Sequence, residues 1–244
     1  MVSAEEFLLA KDQGKEITAI AAFYQTSPLV VVSLEESQIE TAADFEGKVL
    51  GNKGGKVEEE LIYQLLLSSV GLTKNDAVIK KVGFDKHELN DLIEETVDAV
   101  DLYRTDQLYF FKKENIKYNL IYPERYGINI FNDVLVVKNE LIKSDPLLIE
   151  DFVKASIEGW EDAIQNPDNA VKNTLKYVTV ESYKDYDYEM FILTESIPLI
   201  KMGSYKNIGT MYYSDWVKLY EQMKSGNLIK GDFKVEDVFT NDFI

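Results

Sequence analysis

The stretch ITAIAAFYQTSPLVVVS, residues 17–33, decides the fold of this 244-residue chain. It holds two apolar runs of strand length, residues 17–23 and 28–33, joined by the polar turn Gln25-Thr26-Ser27. Runs this continuously apolar are typical of strands that are buried on both faces. Two such strands close together in the chain predict a sheet that is covered on both sides.

Downstream of this stretch, predicted strands and helices alternate. A strand at 48–51 leads through the glycine-rich turn 52–56 into an amphipathic helix at 57–70. The alternation then continues with further predicted strands at 78–82, 98–102 and 118–121 and further predicted helices at 86–95 and 105–114. This order predicts an α/β unit with a mostly parallel sheet. The turn Asn52-Lys53-Gly54-Gly55-Lys56 lacks the spacing of a phosphate-binding loop, although its backbone N–H groups suit a ligand.

The chain changes character after residue 127. A strand at 131–137 is followed by Ser144-Asp145-Pro146, a polar helix cap with proline in the first turn, and a long amphipathic helix that ends at Asn166-Pro167. Further helices are predicted at about 168–177, 187–201 and 213–225. The carboxyl half is therefore mainly helical.

Composition removes several classes of function. The chain contains no cysteine and a single histidine, His87, so thiol nucleophiles, disulfides, zinc–cysteine clusters and two-histidine metal motifs are all excluded. A formal net charge of -17, without a compensating basic cluster, makes nucleic acid a poor partner. We expect no metal and no cofactor, and we place His87 on an exposed first turn of a helix.

No apolar run approaches the roughly 18 to 20 residues that a membrane span needs. The amino terminus also lacks the basic and apolar regions of a secretory signal. Because cysteine is absent, composition does not choose between compartments.

Several segments together resemble the solute-binding proteins of ABC transporters, in the branch that binds thiamine pyrimidine precursors, sulfonates, nitrate and taurine. The resemblance extends from about residue 8 to the carboxyl terminus and is carried by residues 20–32, 39–49, 97–100, 131–137 and 151–167. It implies a type II periplasmic-binding-protein fold in which a ligand binds between two lobes. Lobe one would consist of residues 1–33 and 130–244, and lobe two of residues 34–129. Each lobe is expected to be a mostly parallel sheet flanked by helices.

The resemblance carries one departure. Members of the family normally open with a further strand, an aromatic-bearing ligand loop and a helix before the segment that matches Met1. We therefore expect this chain to lack an amino-terminal part of lobe one. We also expect an unpaired sheet edge there unless another segment covers it.

Open α/β sheets place ligands at the carboxyl ends of their parallel strands. This rule selects the candidate ligand-binding residues Phe23, Tyr24, Gln25, Gly54, Gly55, Tyr103, Arg104, Asn132 and Asp133. Five of them have a plainer interpretation that stays open: a half-exposed tyrosine for Tyr24, a strand–helix turn for Gly54 and Gly55, and a turn cap for Asn132 and Asp133.

Glu195 is an acid among apolar residues of a predicted helix, where it faces solvent or meets a partner. The family resemblance implies the second role, because pyrimidine-precursor binders read the aminopyrimidine with a glutamate on a comparable helix. A solvated surface position remains the alternative.

The choice of ligand follows from the candidate side chains. Only Arg104 and Arg125 are arginines, and a planar anion such as a sulfonate is best held by a guanidinium fork. The aromatic rings and carboxylates of the candidate set suit a flat, amine-bearing heterocycle better. The sequence therefore favours a pyrimidine-like ligand over a small anion.

The leading hypothesis is a monomeric, non-catalytic, extracytoplasmic protein that closes around a small molecule by hinge motion and delivers it to an ABC transporter permease. The localisation, periplasmic or membrane-anchored outside the cell, follows from the resemblance alone. The alternative is the ligand-sensing domain of a histidine kinase or diguanylate cyclase, with the effector in the same chain, because residues 122–135 also resemble that version of the domain. Fungal relatives of the fold make the thiamine pyrimidine with an active-site histidine and a cysteine-rich motif. This chain has no cysteine, and its one histidine, His87, lies in a different sequence context, so we do not expect an enzyme of that kind.

Overall fold

The computed structural model describes residues 1–52, 57–83, 88–181, 184–201 and 207–244. It divides the chain into two compact units, one formed by Met1–Ser27 with Ile130–Ile244 and the other by Pro28–Asn129. The sequence predicts residues 28–33 in the first lobe. The structure places them in the second unit, because the strand they form pairs with residues 99–103 and 118–121 of that unit.

The second unit contains a five-stranded sheet. Its strands are β2 (Leu29–Leu34), β3 (Val49–Asn52), β4 (Val78–Lys81), β5 (Ala99–Tyr103) and β6 (Tyr118–Ile121), in the spatial order β4-β3-β5-β2-β6. The helices of this unit are α2 (Val57–Ser69), α3 (Glu88–Ile93) and α4 (Leu108–Lys113). Every residue of β2 is buried, as its continuous apolar run predicted.

The sheet of the second unit is mixed: β3, β4, β5 and β6 run in one direction, in agreement with a mostly parallel sheet, and β2 runs in the opposite direction. Strand β3 pairs parallel with β4 and β5, but β2 runs antiparallel to both β5 and β6. The physical reason lies in the connection: β2 follows β1 through a short turn instead of a crossover helix, so the rule that makes strand–helix–strand units parallel does not fix its direction.

The first unit is built on an antiparallel pair of strands, β1 (Ile17–Tyr24) and β7 (Asn132–Lys138), which again differs from the predicted parallel sheet. Its helices are α1 (Ala4–Asp12), α5 (Asn139–Ser144), α6 (Pro146–Gln165), α7 (Pro167–Thr174), α8 (Tyr186–Ile200) and α9 (Tyr213–Ser225). The mainly helical carboxyl half is confirmed. The predicted cap of α6 is also confirmed, because the N–H of Leu148 donates to the side chain of Asp145.

The core of the first unit lies between the strand pair and α6. Buried Ile20, Ala21 and Phe23 of β1 pack with Ile149 and Val153 of α6. Both outer edges of the strand pair carry additional bridges: Val2 pairs with Val134 of β7, and Gly209 and Phe239 pair with β1. The edge expected to be unpaired is thus hydrogen-bonded along part of its length, which blunts it as a template for other chains.

No helix in the described part of the chain combines the length and the apolar composition that crossing a bilayer requires.

Candidate functional site

The candidate site of the first unit forms where β1 ends and β7 begins. Because the two strands are antiparallel, the last residue of β1, Tyr24, lies directly opposite the first residue of β7, Asn132. The structure therefore brings Tyr24, Asn132 and Asp133 together. It does so by antiparallel register, and not through the carboxyl ends of parallel strands from which these residues were predicted.

Tyr24 is half-buried, and its hydroxyl is fixed by a helix distant in sequence. The hydroxyl donates to Oγ of Ser196 in α8 at 2.7 Å, and Ser196 in turn donates to the carbonyl of Ile192 at 2.7 Å. Burial raises the pKa of the Tyr24 phenol above its ordinary value of 10.0; the bond with Ser196 opposes this shift, and the negative charge of Asp133 adds to it. The Tyr24 phenol therefore keeps its proton to a higher pH than an exposed tyrosine does.

The two neighbours of Tyr24 are turned toward the protein. Phe23 is 3% exposed and packs against Trp160 of α6, with 6.4 Å between the ring centroids. Gln25 is 7% exposed; its side-chain amide donates to the carbonyl of Ala22 and its backbone N–H to that of Leu199 in α8. Both residues hold β1 in place against the helices, which orients Tyr24.

Asp133 adopts a left-handed backbone conformation, with φ of 53°. Its N–H donates to Oδ1 of the preceding Asn132 at 2.7 Å, a local side-chain bond that supports this conformation. Aspartate tolerates the left-handed region better than most residues do. The negative charge of Asp133 contributes to the raised pKa of the Tyr24 phenol.

Glu195 is half-buried on α8, next in sequence to Ser196. The helix that carries Glu195 is thus the helix that fixes Tyr24. Ser196 was not among the predicted site residues, although a serine beside an acid in an apolar helix was a usable signal in the sequence. The structure shows that Ser196 is buried.

Two candidate residues of the second unit, Tyr103 and Arg104, lie at the end of β5. Arg104 forms an ion pair with Glu124 at 2.9 Å, and their side chains are 13% and 25% exposed. The Arg104 guanidinium also lies 5.5 Å from the centroid of the Tyr122 ring, and that of Arg125 lies 4.5 Å from the same centroid. An anion that approached Arg104 would have to compete with Glu124, a partner that sequence analysis did not identify.

Tyr103 is the last residue of β5, and its backbone N–H donates to the side chain of Gln107 at 2.8 Å. The predicted ligand residues Gly54 and Gly55, and His87, lie outside the described residues. That the candidate residues of both units serve one ligand stays a prediction.

The candidate ligand-binding residues of the first unit include three oxygen acceptors: the phenol of Tyr24 and the carboxylates of Asp133 and Glu195. These groups match N–H and O–H donors. Within the described residues, no group of three or more histidine, cysteine or acidic side chains is arranged to hold a metal ion.

Comparison with known proteins identifies the family. Residues 1–170, more than two thirds of the chain, match the family model described as NMT1/THI5 like. The riboflavin-binding protein RibY of Chloroflexus aurantiacus is 23% identical over 99% of this chain and 69% of its own length. The formylaminopyrimidine-binding protein of Halalkalibacterium halodurans is 21% identical over 68% of this chain and 50% of its own length.

Solved structures show the same fold at low identity. A putative periplasmic sulfonate-binding protein, SsuA of Methylobacillus flagellatus, is similar with a TM-score of 0.70 at 17% identity, covering 99% of this chain and 71% of that one. The desulfurization enzyme DszB is similar with a TM-score of 0.65 at 10% identity, covering 99% of this chain and 82% of that one. The fold is thus shared by binding proteins and at least one enzyme. The chain belongs to the NMT1/THI5-like family and has the type II periplasmic-binding-protein fold.

Proposed function

We propose that this chain is an extracytoplasmic binding protein that captures a thiamine pyrimidine precursor, or a similar flat heterocycle with an amine, and delivers it to an ABC transporter permease. One observation carries the proposal: Tyr24, Asp133 and the Glu195-bearing helix α8 are held together at the end of the β1–β7 pair. An aromatic ring surrounded by acceptor oxygens is complementary to a flat ring that carries N–H donors.

Two further observations support a heterocycle over a sulfonate. The Arg104 guanidinium, the group best suited to a planar anion, is already paired with Glu124. The two curated relatives named above are described as binding riboflavin and formylaminopyrimidine, which are both flat nitrogen heterocycles.

The proposed role is non-catalytic and monomeric. The absence of cysteine excludes a thiol nucleophile, and neither proton transfer nor nucleophilic attack is needed to explain the contacts of Tyr24. Chromatography should recover the bound heterocycle chemically unchanged after prolonged incubation, and size-exclusion should give the mass of one chain. Turnover of the heterocycle would overturn the non-catalytic role.

A thermal-shift and calorimetric panel tests the ligand class. The panel contains 4-amino-5-hydroxymethyl-2-methylpyrimidine, its formylaminopyrimidine relative, riboflavin, taurine, methanesulfonate and nitrate. A ligand present at about 100 times its Kd adds roughly 2.7 kcal/mol to the free energy of unfolding. We expect a pyrimidine to give the largest shift. Binding of sulfonates alone, or of nothing in the panel, would contradict the proposed ligand.

Variants locate the site. Tyr24→Ala and Glu195→Ala should each weaken pyrimidine binding about tenfold or more, which corresponds to roughly 1.4 kcal/mol. The matched controls are Tyr177→Ala, a tyrosine that is 82% exposed, and Thr194→Ala, the exposed neighbour of Glu195 on the same helix. If the controls weaken binding as much as the site variants do, the site assignment is wrong.

Delivery to a permease requires a separate measurement. The loaded protein should stimulate ATP hydrolysis by its cognate transporter in proteoliposomes, and the unloaded protein should stimulate it less. Equal stimulation by both forms would argue against a role in transport.

A further inference from the structure

We propose that Ser196 is a positioning residue that sets ligand selectivity: it fixes the direction of the Tyr24 hydroxyl, so that Tyr24 can only accept a hydrogen bond from the ligand. This part of the site would then admit a ligand N–H or O–H donor and reject acceptor-only groups such as sulfonate oxygens. The inference rests on the proposed function, in which Tyr24 contacts the ligand, and adds the rule by which the ligand is chosen.

The direction of the hydrogen-bond chain follows from its last member. A carbonyl oxygen carries no proton, so the 2.7 Å contact between Ser196 Oγ and the carbonyl of Ile192 uses the only proton of the serine hydroxyl. This bond to the carbonyl four residues earlier is the usual one for a serine inside a helix. At the 2.7 Å contact between the two hydroxyls, Tyr24 must therefore be the donor and Ser196 the acceptor.

Burial protects the hydrogen bonds from Tyr24 to Ser196 and from Ser196 to Ile192 against rearrangement. Ser196 is 1% exposed, so water does not readily replace either of its partners. If the Tyr24 hydroxyl turned to donate to a ligand, the buried Ser196 oxygen would lose its donor. An unmade bond at a buried polar atom is costly, on the order of a tenfold or larger change in an equilibrium constant.

The Tyr24 oxygen retains acceptor capacity in this arrangement. Among the residues that the structure describes, no other group donates to that oxygen. The nearby Asp133 carboxylate raises the pKa of the phenol, so this end of the site is also electrically negative. The direction of the Tyr24 hydrogen bond and the negative charge of Asp133 therefore favour the same ligand group, an amine or another N–H donor.

The experiment uses a matched pair of probes. One is 4-amino-5-hydroxymethyl-2-methylpyrimidine, and the other is the same molecule with a methyl group in place of the exocyclic amine, which keeps the shape, removes the amine N–H donors and leaves the hydroxymethyl O–H common to both probes. Methanesulfonate serves as the acceptor-only anion. Calorimetry gives each Kd for the wild type, Ser196→Ala, Ser196→Thr, Tyr24→Phe and the Tyr24→Phe/Ser196→Ala double variant.

The wild type should prefer the amino probe over the methyl probe by about tenfold or more, as expected for a donor that meets a waiting acceptor. Ser196→Ala frees the Tyr24 hydroxyl, so this preference should fall several-fold and methanesulfonate should bind more tightly. Ser196→Thr restores an oxygen at the same position and should restore the preference. With Tyr24→Phe in place, Ser196→Ala should change the preference no further.

The failures of the two proposals differ. If the wild type binds the amino probe but Ser196→Ala weakens both pyrimidines equally, Ser196 has only a structural role and the inference is overturned while the proposed function stands. An effect of Ser196→Ala that persists in the Tyr24→Phe background would likewise overturn it. If the wild type binds neither pyrimidine, the proposed function fails and this inference fails with it.

Discussion

Replacing Trp216 should cause one of the largest single losses of stability in this protein. Trp216 lies on α9 with none of its surface exposed, and its ring contacts Phe7 at 5.3 Å, Phe131 at 4.5 Å and Phe239 at 6.0 Å between centroids. These three rings come from α1, the segment before β7 and the carboxyl-terminal segment. The indole therefore ties together parts of the first unit that are far apart in the sequence.

The magnitude follows from burial. Truncation of a buried tryptophan to alanine costs about 3 to 5 kcal/mol, because apolar contacts are lost and a cavity remains. For a chain of this length each kcal/mol lowers the melting temperature by roughly 2 to 4 °C, so Trp216→Ala should lower it by about 6 to 20 °C. Trp216→Phe keeps an aromatic ring in the cluster and should lose less.

Thermal and urea unfolding, followed by circular dichroism and tryptophan fluorescence, measure this loss. The chain has two tryptophans, so Trp160 remains as a reporter in the variant. Trp160→Ala is the matched control, because Trp160 is half-buried on α6 and should cost less. A loss below about 1 kcal/mol for Trp216→Ala, or a larger loss for the control, would refute the described packing.

Three further changes test other features of the structure. A Cβ on Gly51 would lie 3.1 to 3.3 Å from three valine side chains, so Gly51→Ala should lower the free energy of unfolding by about 1 to 3 kcal/mol. Gly159 has open space around it on α6, so Gly159→Ala should raise the free energy of unfolding by about 0.5 to 1 kcal/mol. Urea midpoints of the two variants that move in the same direction would contradict this packing. At Asp133, with φ of 53°, valine should cost about 1 to 2 kcal/mol more than asparagine in the same assay, and equal costs would argue against the left-handed backbone. Because the pKa of Tyr24 in the folded protein lies above its ordinary value of 10.0, the unfolded chain releases the phenol proton first, and the free energy of unfolding falls as pH rises above 10.0. Tyr24→Phe should remove this contribution to the loss of stability at alkaline pH. An unchanged pH profile of stability would show that the pKa of Tyr24 is not perturbed.

Local patterns in the sequence predicted most of the secondary structure. Strand β1 and helices α6, α8 and α9 lie within one or two residues of their predicted positions, because apolar periodicity, the Asp145 cap and the Asn166-Pro167 stop act over short distances. The resemblance to solute-binding proteins was confirmed by the family match, since it depended on several segments in a fixed order.

Strand direction could not be predicted in the same way. The buried run of β2 indicates a central strand but not its orientation, and the structure makes it antiparallel to both neighbours in the second unit. Which strands pair, and in which direction, depends on contacts between segments that are far apart in the chain.

For the candidate site too, some features could be predicted from the sequence and others depended on the fold. The sequence by itself determined which residues have useful chemistry: Tyr24, Asn132, Asp133 and Arg104 were selected from their types and positions, and Glu195 from the family resemblance. Only the tertiary structure decided their partners, because the bond from Tyr24 to Ser196 joins residues 172 positions apart and the ion pair of Arg104 with Glu124 spans 20. A hydrogen bond requires two atoms at a specific distance and direction, and the folded chain, rather than local propensity, brings such atoms together.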